Sequence, residues 1–122
     1  MKGASLSLQH SLDARMSTEV SRVEVDGKPR AVTIDNVAGR FELDVDGHVA
    51  AIAFRRDGAH LAAVHTEVPA ALRGKGVGDV LARAVLDYAR REKLSVQPYC
   101  PFVAAFIKRH AEYADLVDPG FK

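Results

Sequence analysis

The 122 residues contain a single cysteine, Cys100, so no internal disulfide is available. That thiol and the five histidines show neither C-x-x-C nor H-x-x-x-H spacing, which excludes the common zinc frameworks. A lone free thiol fits the reducing cytoplasm. Excess charge of one sign is also missing: 17 Lys+Arg against 16 Asp+Glu leave +1, which gives no field for a nucleic-acid backbone. No apolar run approaches the ~18 residues of a membrane span. Neither nucleic acid nor a membrane is therefore an expected partner. What the chain does have is core material, since Val, Leu, Ile and Phe supply 33 of its residues. The length suits one domain.

Met1 to about Ser17 is polar and Ser-rich and lacks the apolar centre of a secretory signal. Asp13 and the scarcity of cations argue against a transit peptide, and Met16 offers an alternative start, so the segment is set aside as a tail. Ser21 to Val25 alternates, meets the turn pair Asp26-Gly27, and is followed by Ala31 to Ile34, which predicts a short hairpin. From Arg40 the alternation is strict through Val45 and ends at Asp46-Gly47. The chain returns through His48 to Phe54, turns at Asp57-Gly58 and returns again as Leu61 to Val68, giving three antiparallel strands. With two-residue turns, Phe41, Leu43 and Val45 share a face with Ala50, Ile52, Phe54, Leu61 and Ala63, and His48, His65 and Glu67 collect at one end of it.

After Pro69 the period changes. Val77, Val80, Leu81, Ala84, Val85 and Tyr88 form one stripe of a helix running to about Glu92. Leu94 to Val96 fits a strand beside the third one, which makes that helix a crossover and the sheet mixed. Pro101 suits the first position of a second helix, with Phe102, Val103, Phe106 and Ile107 inward. The expectation is a single-domain α/β fold of order β-β-β-α-β-α with a mostly antiparallel sheet. Tyr99 and Tyr113 read as core or rim, and Arg83, Arg90 and Arg91 as a solvated helix face.

Between the third strand and the helix lies Leu72-Arg73-Gly74-Lys75-Gly76-Val77-Gly78. Glycines at 74, 76 and 78 let backbone approach a ligand, and the helix N-terminus adds positive potential, so an anion such as phosphate is the natural guest. A P-loop fails because Gly76 follows Lys75, and G-x-G-x-x-G fails because Leu81 replaces the third glycine. A turn that merely caps the helix remains the plain alternative.

Arg73-x-x-Gly76-x-Gly78 resembles the Arg/Gln-x-x-Gly-x-Gly/Ala pyrophosphate loop of the GNAT superfamily of N-acetyltransferases, and it sits between strand and helix as in that family. His65-Thr66-x-Val68-Pro69, Arg73 to Gly76, Pro98-x-Cys100 and the run from Phe102 to Val117 together resemble a small stand-alone GNAT-like subfamily. The resemblance implies a domain over 36–117, preceded over 1–35 by the tail and hairpin and followed over 118–122 by a C-terminal tail. It implies acetyl-CoA as cofactor and partner, an amine as acceptor, and a pyrophosphate held by main-chain N–H groups of Arg73, Gly74, Lys75, Gly76, Val77 and Gly78. Thr66, Val68 and Phe102 complete the implied coenzyme A set, with Val68 N–H polarising the thioester carbonyl. One departure stands out. Many members carry a tyrosine acid in the last helix six residues after an asparagine, whereas Cys100 is followed six on by Phe106, which has no proton to give.

A lysine-like amine of pKa ~10.4 must lose a proton at neutral pH, so a base is expected. His65 and Glu67, two apart on one strand, are the candidates, with His48 opposite Glu67 in the register above. Structural histidine and solvated glutamate are the plain alternatives, and a bulge inserted in this strand is expected to send the two to opposite faces. Cys100, before Pro101, falls at a helix N-cap and reads either as a nucleophile or as a small residue lining the pocket. The reaction these residues suggest is acetyl transfer to an amine by direct attack in a ternary complex. A non-enzymatic acyl-CoA-binding or sensing module, or a small interaction domain, are the rival readings.

Overall fold

The computed structural model describes residues 17–121, so the expected N-terminal tail, apart from Ser17, lies outside the described residues. Six strands form one sheet in chain order: β1 Thr18–Val25, β2 Lys28–Asp35, β3 Arg40–Val45, β4 His48–Asp57, β5 His60–Glu67 and β6 Ser95–Pro98. The first four pairings are antiparallel, and β6 lies parallel to β5. The parallel pair is joined by a crossover helix, α1 (Val77–Arg91), and α2 (Pro101–Arg109) follows β6. From Arg40 the order is the expected β-β-β-α-β-α, with short 3-10 turns added at Ala70–Leu72 and Ala111–Leu116. The hairpin suggested near Ser21 is present with eight-residue strands, and β2 pairs with β3, so it widens the same sheet.

The hairpin turns follow from their residues. Asp26 and Asp46 hold φ of 55° and 54°, the left-handed geometry of a two-residue turn that Asp-Gly tolerates better than most pairs. α1 lays Val77, Leu81, Ala84, Val85 and Tyr88 into the core, where Tyr88 meets the Phe41 ring edge-on at 5.4 Å. Leu81, fully buried, contributes about 1.5–3 kcal/mol by leaving water.

The helix arginines read as a solvated face have specific partners. Both terminal nitrogens of Arg90 reach Asp115 at 3.0 Å, Arg83 Nη1 donates to Tyr113 Oη at 3.1 Å, and Arg91 Nη2 donates to the Val20 carbonyl at 2.7 Å. Burial and the bond it donates to Asp87 push the Tyr113 phenol above its ordinary value. These contacts fasten the C-terminal turns and β1 to α1. Asp118, first residue of the expected C-terminal tail, is hydrogen-bonded to β6: its amide donates to the Val96 carbonyl at 2.9 Å and its carboxylate accepts from Gln97 Nε2 at 3.0 Å.

Candidate functional site

Two local irregularities build a cleft at the C-terminal end of β5. The first lies between β5 and β6, whose ladder stops at the Ala63–Pro98 pair. Pro98 has no N–H to carry it further, and the Ala63 carbonyl takes the Cys100 amide at 2.9 Å. The two strands then part. The second is a bulge between β4 and β5, where Phe54 faces Ala63 but Ala53 faces His65, so Val64 is the extra residue.

The turn between β4 and β5 is Gly58-Ala59, since Asp57 pairs with His60, and this together with the bulge corrects the register expected from a turn at Asp57-Gly58. Thr66 pairs with Ile52 and so joins the face of Phe41 and Leu43, while His65 and Glu67 pair with Ala53 and Ala51 on the other face. The extra residue precedes His65, so the two candidates move together and stay on one face, not on opposite ones. His65 Nε2 lies 3.4 Å from Glu67 Oε2, with both side chains more than half exposed. His48 does not join them. It pairs with Val45 at the β3–β4 turn, and Glu67 faces Ala51 instead.

On the Thr66 side, a cavity of about 400 Å³ lies between the end of β5, the glycine loop and α2. Of the expected cofactor residues, Thr66, Val68, Arg73, Gly74, Gly76, Val77, Gly78 and Phe102 line it. Lys75 does not. Its Nζ reaches Asp26 Oδ2 at 3.1 Å, and its amide donates to the Leu72 carbonyl at 3.3 Å while that of Arg73 donates to Ala70. Leu72 and Asp79 also line the cavity and were not expected there. Apolar Leu72 closes the 3-10 turn, and Asp79 sits in the first turn of α1 with Arg109 at 3.4 Å. Their positions depend on loop geometry that sequence spacing does not specify.

The loop glycines divide in role. Gly74 and Gly76 have φ of +85° and +73°, and a side chain on either would meet open space, the signature of a backbone turned toward a void. Gly78 is helical, and a Cβ there would come within 2.8 Å of Phe102 Cζ, so this glycine lets the aromatic ring lie against α1. Gly76 caps α1, and the amides of Gly76, Val77, Gly78 and Asp79 have no acceptor among the described residues. Such a group of donors at a helix N-terminus favours an anion.

Cys100 is the N-cap of α2, as its place before Pro101 suggested, and is 3% exposed. Its Sγ lies 3.1 Å from Thr66 Oγ1, and of the two only Thr66 lines the cavity, so the thiol sits behind the wall. A second hollow of about 420 Å³ lies beyond the strand end, lined by Val49, His65, Glu67 and Pro69 and sharing Thr66, Val68 and Arg73 with the first. The end of β5 thus separates two concavities, with Val68 common to both.

Comparison with known proteins points the same way. The family model for GCN5-related N-acetyl-transferases matches residues 40–116. Protein NATD1 of Bos taurus is 37% identical over 57 residues, which cover 45% of this chain and 50% of the relative. Protein NATD1 of Homo sapiens is 35% identical over 57 residues, with the same coverage of 45% and 50%. Protein NATD1 of Danio rerio is 26% identical over 102 residues, covering 70% of this chain and 93% of that relative. The chain thus spans about half the length of the mammalian relatives it matches.

Proposed function

The chain belongs to the GCN5-related N-acetyltransferase family, and on that premise we propose that it moves an acetyl group from acetyl-CoA to a primary amine by direct attack in a ternary complex. The observation that carries this reading is the set of free amides at the start of α1, facing a cavity that opens where β5 and β6 part. The residues present fit the cofactor: a pyrophosphate needs donors without bulk, and Gly76 provides both a left-handed cap and open space.

Acetyl-CoA supplies an activated thioester whose thiolate leaves with a pKa near the ~8.5 of a free thiol. The amides of Gly76, Val77 and Gly78 would hold the pyrophosphate, helped by the dipole of α1. The Val68 N–H would polarise the acetyl carbonyl. On the other side of the strand, the His65–Glu67 pair would take the proton that the acceptor ammonium must lose before the free amine can attack. The thiolate needs no acid, consistent with buried Phe106 standing where many relatives place a tyrosine. The acceptor hollow is open, which suits a lysine side chain or another amine on a flexible stem. A free Cys100 fits a cytoplasmic setting.

The absent tyrosine also favours a second reading, an acyl-CoA-binding module without turnover. Isothermal titration with CoA tests the cofactor assignment. Release of free CoA that depends on added amine, screened across proteins, polyamines and small amines, separates enzyme from binder.

A further inference from the structure

Lys75 lies in the middle of the glycine loop, yet its side chain is directed away from the cavity. It is flanked by Gly74 and Gly76, both with positive φ, so the loop reverses twice around it. Two residues of this kind leave a backbone with many accessible conformations. Within the loop, the bonds from the Arg73 and Lys75 amides to Ala70 and Leu72 measure 3.2 and 3.3 Å, at the long end of hydrogen bonding. At its far end the Gly76 carbonyl accepts the Val80 amide at 3.1 Å and Val77 is buried, so α1 fixes that end, while the stretch from Arg73 to Lys75 is held only by the two long bonds.

An outside anchor supplements them. Lys75 Nζ lies 3.1 Å from Asp26 Oδ2, at the turn between β1 and β2. Asp26 is itself held at φ 55° in a tight turn, and the neighbouring turn is pinned to the hairpin by Arg30 Nη1 to Asp46 at 3.0 Å. The hairpin is firm underneath, with Val25 4% exposed and Val20 and Val23 packed against the core. Arg91, at the far end of α1, grips the Val20 carbonyl. The hairpin therefore contacts both ends of the loop–α1 unit, although it lies outside the span that matches the family model.

We propose that Asp26 is a positioning residue: through Lys75 it holds the glycine loop in the conformation that presents free amides to the cofactor. The part of this inference that concerns coenzyme A rests on the acetyl-CoA reading above; the tether itself does not. Lys75 then acts as a strut and not as a phosphate ligand, and the β1–β2 hairpin is a working part of the cofactor site. Exposed ion pairs are weak, so the effect is a factor of about two to five.

The test uses the full chain and two readouts. In the ligand-free protein, Asp26→Asn and Lys75→Gln should each speed hydrogen exchange of the two hydrogen-bonded loop amides, Arg73 and Lys75, leave exchange in α1 unchanged, and give no larger effect when combined. The charge-reversed pair Asp26→Lys with Lys75→Asp should restore slow exchange, which a side chain that merely fills space would not do. With CoA as probe, each single variant should weaken binding about two- to fivefold, equally for CoA and dephospho-CoA. At saturating acetyl-CoA, kcat should be unchanged. Unaltered loop exchange in both single variants would overturn the tether, whether or not CoA binds. Tighter CoA binding by Asp26→Asn would also overturn it, because it would make Lys75 a phosphate ligand that Asp26 withholds. Failure of the unsubstituted protein to bind CoA would remove the acetyl-CoA reading and leave the exchange result to decide the tether.

Discussion

Thr66 Oγ1 and Cys100 Sγ lie 3.1 Å apart where β5 and β6 have separated, and this contact ties the end of β5 to the N-cap of α2. Both groups come from irregularities: the bulge turns Thr66 toward the cleft, and the break at Pro98 brings Cys100 to the start of α2. The thiol, 3% exposed, backs the Thr66 hydroxyl, and it is Thr66 that lines the cavity.

The first prediction concerns that contact. Direct attack needs no covalent stop on the enzyme, so Cys100→Ala should keep most of kcat and raise KM for acetyl-CoA by roughly threefold, because Thr66, which lines the cavity, loses the sulfur it rests against. Thr66→Val should act similarly, and the double variant little more than either alone, because the pair is one contact. Incubation with acetyl-CoA and no amine should give no hydroxylamine-labile adduct. An acetyl-cysteine that forms and decays at the turnover rate would establish Cys100 as the nucleophile instead.

The second concerns the acceptor side. If the His65–Glu67 pair takes the amine proton, removing its base should cost about 10²–10⁴ in rate at neutral pH. Glu67→Gln and His65→Gln should each fall in that direction, and the double variant should match the worse single one. The deficit should shrink as pH rises toward ~10.4, where a lysine-like amine is already free. Equal loss at every pH would mean that the pair only shapes the hollow.

Much of this architecture was legible in the sequence because its signals are local. Strict alternation from Arg40 to Val45, the Asp-Gly turns and the stripe from Val77 to Tyr88 each specify an element through neighbouring residues. The glycine loop and the N-cap at Cys100 were legible for the same reason. The faces of His65 and Glu67 were not, since one extra residue at Val64 reverses every side chain after it, and nothing in Ala62-Ala63-Val64 marks a bulge. Lys75 misled for a different reason. Its partner Asp26 lies 49 positions away, and the turn that holds it belongs to a hairpin with only modest alternation.

The third prediction separates Gly78 from the other loop glycines. Gly78→Ala places a methyl group within 2.8 Å of Phe102 Cζ, so the ring must move, and the space beside it is the cofactor cavity. Overpacking costs about 1–3 kcal/mol, while alanine regains up to ~1 kcal/mol of helix propensity over glycine, so the fold should survive with a modestly lower Tm. CoA affinity should fall by about three- to tenfold as the ring intrudes. Phe102→Leu in the Gly78→Ala background should recover part of it. Unchanged affinity would place Phe102 outside the binding surface.

The fourth uses acid to test how the C-terminal segment is fastened to β6. The Asp118 carboxyl is held below its usual 3.8, first by the Gln97 side-chain bond and then by the Gly120 amide at 3.2 Å, with His60 at 3.8 Å the smallest cause. A depressed carboxyl pKa means that the folded protein binds this proton less readily than the unfolded chain. The stabilisation is therefore complete above the unfolded value of about 4 and is lost as pH falls through the lower folded value. Asp118→Asn should lower the urea midpoint at pH 7, and the gap to the unsubstituted protein should narrow as the pH is taken below 3.8. Gln97→Ala should show the same pH-dependent gap, because it removes the principal donor. A gap that persists undiminished in acid would mean that the side chain stabilises β6 through its shape and neutral hydrogen bonding and that its charge contributes nothing, since the backbone bond to Val96 is present in both proteins.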